Sequence, residues 1–219
     1  MTRRSIVVIT TLVAVVIFAG SAFLYDRYNV SRARVAPTAV GNELIRPHSP
    51  IIGPEDARVT IVEFFDPSCE ACRAFHPILK QILAAFPNEV RLVVRYTPFH
   101  QGSDEAVRIL ETARIQGKFE SVLEALLARQ PEWADHAGPD LNKAWEFARA
   151  AGLDTERARR DATSSEITRV LTQDMADVKT NNVRRTPTFF VNGKPLPSFG
   201  VQQLYNLVQS EVQRTRTGS

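Results

Sequence analysis

The chain is poor in cysteine, with two in 219 residues. A small domain stapled by disulfides is thereby excluded. The one bridge available, Cys69 to Cys72, would close a single turn and restrain almost nothing in the unfolded chain. A structural zinc site generally needs four ligands, and there is no second cysteine pair to complete one, so no metal site is expected. Charge of one sign is also scarce. Of the formal +3, Arg3 and Arg4 supply two units in front of an apolar run, which leaves about +1 for the rest. That balance offers no basis for nucleic-acid binding. The remaining arginines mix with acidic residues along helical stretches, as in Glu156-Arg157-Ala158-Arg159-Arg160-Asp161, a pattern of solvated helix faces. Internal repeats and low-complexity tracts are absent.

One long hydrophobic run is present. Ile6 to Leu24 carries no charged residue, and as a helix it would be roughly 28 Å long, close to the hydrocarbon thickness of a bilayer. With Arg3 and Arg4 before it, the expected arrangement is a single-pass anchor in the cytoplasmic (inner) membrane, with everything after Tyr25 on the periplasmic side. A cleaved signal peptide is the alternative, since Ala19-Gly20-Ser21-Ala22 could be a cleavage site. The run, however, exceeds the usual apolar core of roughly 7–15 residues, and no cysteine follows it to accept a lipid. Residues 25–54, with Pro37, Pro47, Pro50 and Pro54 and no sustained period, read as a linker.

Val59-Thr60-Ile61-Val62-Glu63-Phe64-Phe65 predicts a buried strand ending at Asp66-Pro67-Ser68. Glu70 to Phe86 repeats its apolar residues with a helical period, and Val90 to Tyr96 predicts a second strand. Four or five helices are expected between Ser103 and Val178, with Ser103 and Asp154 as N-caps and Gly117 as a break. Thr188 to Val191, Asn192-Gly193 and Lys194 to Leu196 form a hairpin pattern, and Gln202 to Val212 an amphipathic helix. The expected divisions are cytoplasmic tip and anchor (1–24), linker (25–54), first α/β half (55–102), helical insert (103–180), second half (181–214) and tail (215–219).

Two cysteines placed at random would fall three apart roughly once in a hundred times, so the spacing carries information. At the start of a helix the first thiol lies by unpaired N–H groups and the positive end of the helix dipole, both of which favour the thiolate. Cys69 is therefore expected to be an accessible nucleophile and Cys72, one turn on, the resolving thiol. Glu70, Ala71 and Arg73 would tune the pair, Glu70 opposing the thiolate and Arg73 favouring it, with the helix terminus dominant. Arg73 also stands where covalent haem attachment requires histidine. His76 reads as a helix-surface histidine and His100 as a plain surface one, and Trp133 and Trp145 as packing.

The stretch Ile61-Val62-Glu63-Phe64-Phe65-Asp66-Pro67-Ser68-Cys69-Glu70-Ala71-Cys72-Arg73-Ala74-Phe75-His76-Pro77 resembles the DsbA-like branch of the thioredoxin superfamily. Pro77 resembles that family's helix-kinking proline. Glu63 resembles its buried acidic residue, which assists proton movement. Arg185-Thr186-Pro187-Thr188-Phe189-Phe190-Val191-Asn192-Gly193 resembles its cis-proline loop, implying that Pro187 is cis and that Thr186, flanked by Arg185, contacts bound polypeptide. The resemblance implies an α/β thioredoxin-like fold with an inserted helical domain, over about Arg58 to Val212. It further implies disulfide formation in reduced exported polypeptides, no cofactor beyond the redox-active Cys69–Cys72 disulfide, and re-oxidation by a DsbB-like membrane partner. Glu-Ala between the cysteines, where DsbA itself has Pro-His, is a departure, and Thr186 is a residue seen also in isomerase-type relatives. A reductase or isomerase of the same fold, or a copper- or zinc-handling protein using the same thiols, are the alternatives.

Overall fold

The computed structural model describes residues 43–217. In chain order the elements are β1 (Ile51–Ile52), β2 (Val59–Phe65), α1 (Glu70–Ala85), β3 (Val90–Tyr96), α2 (Ser103–Ile115), α3 (Phe119–Ala128), α4 (Gln130–Trp133), α5 (Leu141–Ala150), α6 (Thr155–Asp161), α7 (Ser165–Thr180), β4 (Thr188–Val191), β5 (Lys194–Pro195) and α8 (Val201–Thr217). The strands form one sheet in the order β1-β3-β2-β4-β5. β2 runs parallel to β3, joined through α1, and antiparallel to β4, while β1 and β5 lie antiparallel on the two edges. This is a mixed α/β thioredoxin-like fold with a helical insertion between β3 and β4.

Every residue of the central strand β2 is buried, so both faces of the sheet are covered and the alternation of its side chains sorts them between two cores. Val59, Ile61 and Phe65 join Leu79 and Ile82 of α1, Leu204 and Val208 of α8, and the insert. Val62 and Phe64 face the opposite way, onto Leu44, Val93, Val178 and Val183. Glu63 falls, by the two-residue period, on the face that holds α1 and the cysteines.

The insert contains six helices rather than four or five. Short α4 and α6 offer too few apolar repeats to register as separate elements in a periodicity reading. Asp154 caps α6 by accepting from Arg157 N, and Gly117 breaks the chain at φ +66°. Ser103 does not cap α2. Gly102 occupies the cap, and Ser103 is the first helical residue, its hydroxyl drawn instead to Asp66.

A second correction concerns the linker. Residues 43–54 pack on the domain: Leu44 is buried, β1 pairs with β3, and Arg46 makes a two-pronged ion pair with Asp177 at 2.7 and 2.8 Å. Asp177 also accepts from Arg95 at 2.6 Å, and Asp174 accepts from Arg95 and from Tyr96 N, both at 2.8 Å. Arg95 is fully buried and its third partner is Glu43 O at 2.6 Å. Two guanidinium groups thus meet two carboxylates where α7, β3 and the incoming chain converge. The expected anchor, 6–24, lies outside the described residues. Among those described, no helix is long and apolar enough to cross a membrane.

Replacing Arg95 with Met would keep the volume but leave Asp174 and Asp177 without their main buried counter-charge. The expected cost is about 3–5 kcal/mol of stability, read as a lowered urea midpoint.

Candidate active site

β2 ends at Phe65 and the chain turns through Asp66-Pro67-Ser68 into α1. Asp66 organises that turn. Its carboxylate accepts from Ser68 N at 2.8 Å and its carbonyl from Cys69 N at 3.1 Å, so Cys69 lands at the N-cap of α1 with extended backbone, φ −80° and ψ 121°. Ala71 and Cys72 stand at the second and third helical positions, whose N–H groups have no partner within the helix. β4 pairs antiparallel with β2, Thr188 opposite Phe64. The residues just before β4 are thereby brought to the end of β2 where Cys69 emerges. There the Thr186–Pro187 bond is cis, and the Cys69 thiol donates to Thr186 O at 3.3 Å.

The two thiols are free and differ sharply. The Cys69 thiol is pulled down to about 5, first by a hydrogen bond from the Cys72 thiol, against the opposing effect of burial, and further by the Thr186 side chain and the N–H groups of Cys72 and Ala71. Once ionised, the sulfur no longer donates to the Thr186 carbonyl and the Thr186 side chain is its remaining partner in that loop. Burial, then the hydrogen bond given to Cys69, pushes Cys72 up. Burial, then the neighbouring Cys69 thiolate, pushes Glu63 up to about 8, and its Oε1 has no hydrogen-bond partner. One sulfur is held as an anion, one as a thiol, over a carboxyl group that holds a proton near neutrality.

The thioredoxin family model matches residues 46–209. The chain belongs to the thioredoxin family. Its fold is shared by solved structures of DsbA and BdbD proteins. A thioredoxin-like oxidoreductase from Silicibacter pomeroyi DSS-3 is 34% identical, with a TM-score of 0.68, over 81% of this chain and 98% of that one. Wolbachia pipientis α-DsbA1 shares the fold at a TM-score of 0.71 and 15% identity, over 81% of this chain and 98% of that one. A Na(+)/H(+) antiporter NhaA from Herminiimonas arsenicoxydans is 32% identical over 168 residues, which is 76% of this chain and 26% of that protein. The chain spans about a quarter of the length of the curated relatives it matches.

Among thioredoxin-fold sites this one departs from its sequence reading in several respects. Cys69 is only 6% exposed and Cys72 is fully buried. The sulfur expected to be accessible is instead buried, with the Thr186 carbonyl 3.3 Å from it and Gln130 of the insert bonded to the carbonyls of Pro67 and Cys69. The neighbouring thiol outweighs the helix N–H groups as the cause of ionisation. Glu70 is exposed and points to His136, 3.5 Å away, and neither it nor Arg73 is among the leading influences on Cys69. Arg185 is exposed, its guanidinium 6.0 Å from the Phe199 ring, which itself stacks on Phe75 at 4.9 Å. It flanks the cis-proline loop without touching a cysteine.

His76 is half-buried rather than superficial, and burial lowers its pKa. His100, assigned no role from sequence, is bound through Nδ1 to Asp66 at 2.7 Å and stacked on His136 at 4.5 Å. Sequence reading missed Asp66, Gln130 and His136. Asp-Pro-Ser before the cysteine is an Asx-turn signal that could have drawn attention to Asp66, whereas Gln130 and His136, over sixty positions downstream, carry none. Trp133 and Trp145 are packing residues, each with its indole N–H satisfied at 2.8 Å. Among the described residues no group of three His, Cys, Asp or Glu side chains is arranged to hold a metal ion.

The thiolate of Cys69 should govern alkylation. In the reduced protein, carbamidomethylation by iodoacetamide is expected to rise with pH through a midpoint near 5 and then level off, and mass spectrometry should locate all early label on Cys69. A midpoint in the ordinary thiol range of about 8.5 would contradict the site as described.

Proposed function

We propose that the chain oxidises exported polypeptides, forming disulfides in them at Cys69-Glu70-Ala71-Cys72. The observation that carries this reading is the Cys69 thiolate held at about 5 beside a buried, protonated Cys72. Stabilising the reduced dithiol makes the corresponding disulfide a stronger oxidant, and a low-pKa sulfur is also the better leaving group. Both effects favour disulfide donation over reduction.

In the forward reaction a substrate thiolate attacks Cys69 Sγ of the Cys69–Cys72 disulfide. The S–S bond breaks toward Cys72, which takes up a proton, and Glu63 is the adjacent group able to hold and pass one. A second substrate thiolate then attacks the substrate sulfur of the mixed disulfide and expels Cys69 as thiolate. Two substrate thiols lose two electrons and two protons. The pair gains the electrons, Cys72 keeps one proton and the other goes to solvent. An extended substrate would run beside Thr186 and Pro187, with Arg185 at its rim, since residues flanking such a proline can pair with a visiting strand.

Re-oxidation falls to a membrane partner, which the family resemblance suggests to be DsbB-like and quinone-coupled, and an anchor at 6–24 would keep the domain at the periplasmic face of the inner membrane where that partner resides. The antiport named in the longer relatives belongs to those proteins.

Expression of Cys72→Ser in its own host tests the reading. Mixed disulfides joining Cys69 to exported proteins should accumulate and vanish on reduction. If none form, or if the wild-type pair equilibrates with glutathione at a potential near that of thioredoxin, about −270 mV, the oxidase reading is wrong.

A further inference from the structure

Three consecutive carbonyls of the turn that delivers Cys69 to its helix are held by one segment of the helical insert. Gln130, 2% exposed, donates through Nε2 to Pro67 O at 2.8 Å and to Cys69 O at 3.0 Å. His136 Nε2 lies 3.3 Å from Ser68 O, and because a carbonyl only accepts, that nitrogen carries the proton. Cys69 O also receives Arg73 N at 3.1 Å, so the carbonyl at the cap has two donors. The segment is itself firmly seated. Gln130 opens α4, which ends in the fully buried Trp133, whose indole donates to Leu126 O at 2.8 Å.

The amide of Gln130 serves the turn at its own expense. Its Oε1 is buried without a partner, as is Ser68 Oγ. Reversing the amide would aim Oε1 at two carbonyl oxygens, so the acceptors at residues 67 and 69 dictate its orientation. Carbonyl oxygens are the negative ends of the peptide dipoles, and those of residues 67–69 belong to the turn that carries the sulfur to the helix cap. Donors placed on them draw off that negative charge. They also fix the peptide planes, so that the N–H groups of Ala71 and Cys72 stay aimed at Cys69 Sγ.

We propose that Gln130, assisted by His136, is a positioning residue for Cys69: the insert clamps the carbonyls of Pro67, Ser68 and Cys69 and thereby sets how readily the sulfur ionises and exchanges. The inference rests on the thiol-exchange reading given above and extends it to a residue outside the cysteine motif. Glu63, Asp66, Glu70, Cys72, His100 and His136 are the titratable groups around the same turn, and all are left in place when Gln130 is changed.

The test compares reduced wild type, Gln130→Met and His136→Ala for the pH dependence of Cys69 alkylation by iodoacetamide and for disulfide equilibrium with glutathione. Methionine keeps the length and volume and removes the donor. The alkylation midpoint of Q130M is expected to rise by about one unit, a tenfold loss of thiolate below both midpoints. The glutathione equilibrium should move about tenfold toward the disulfide, or about 30 mV for a two-electron couple. H136A, at an exposed position where folding is not at stake, should shift both in the same direction by less. If Q130M folds with a lowered melting temperature but an unchanged midpoint and equilibrium, the residue is merely structural and the proposal is overturned. If Q130M does not fold, an unshifted H136A overturns it equally. Failure of the wild-type pair to exchange with glutathione at all would instead defeat the oxidoreductase reading, while the alkylation midpoints would still decide the role of Gln130.

Discussion

One buried carboxylate, that of Asp66, holds the active turn in register with everything around it. Its two oxygens collect five donors: Ser68 N and Ser103 Oγ on one, Phe99 N, His100 N and His100 Nδ1 on the other. Those donors come from the turn before the cysteines, from the loop after β3 and from the first residue of the insert. A fully buried anion is tolerable only when so surrounded. The consequence is that the thioredoxin-like part and the insert share a seam next to Cys69. Removing the carboxylate would free both sides of that seam at once.

From this seam the asymmetry of the cysteine pair follows. Cys69 lies at the cap, where the N–H groups of α1 and the Cys72 thiol converge on its sulfur. Cys72, one turn deeper, is surrounded by apolar side chains and keeps its proton. The same burial that raises Cys72 also raises Glu63 beneath it, so the charge required for nucleophilic attack is confined to one atom, the Cys69 sulfur. Division of labour between two chemically identical groups arises here from the hydrogen bond that Cys72 gives to Cys69, from the backbone N–H groups at the helix start and from the fuller burial of Cys72.

The far side of the sheet has its own buried charge cluster around Arg95, Asp174, Asp177 and Arg46. It fixes α7 and the chain entering at residue 43 onto β3. β3 is the parallel neighbour of β2, so the strand that ends at the cysteines is braced from both faces, by apolar packing on one and partly by ion pairs on the other. Such ion pairs are weak sources of net stability but costly to break singly, which makes them effective at fixing one arrangement.

How much of this was legible beforehand varies with the range of the interaction. Local pattern determined β2, α1, β3 and the β4–β5 hairpin almost to the residue, because alternation, helical period and Asn-Gly turn chemistry act within a few positions. The cysteine spacing and the Thr-Pro segment marked the site on the same local basis, aided by family resemblance. The tertiary structure alone decided which groups surround the thiolate. Gln130 and His136 come from 61 to 68 positions away from the atoms they bind, as Asp174 in the cluster on the other face comes from 79 positions beyond Arg95, and neither Arg95 nor the segment at 43–54 differs in composition from a solvated stretch. Hydrogen bonds between distant residues leave no periodic trace in a sequence; they exist only once the sheet has brought β2, β3 and the insert to a common edge.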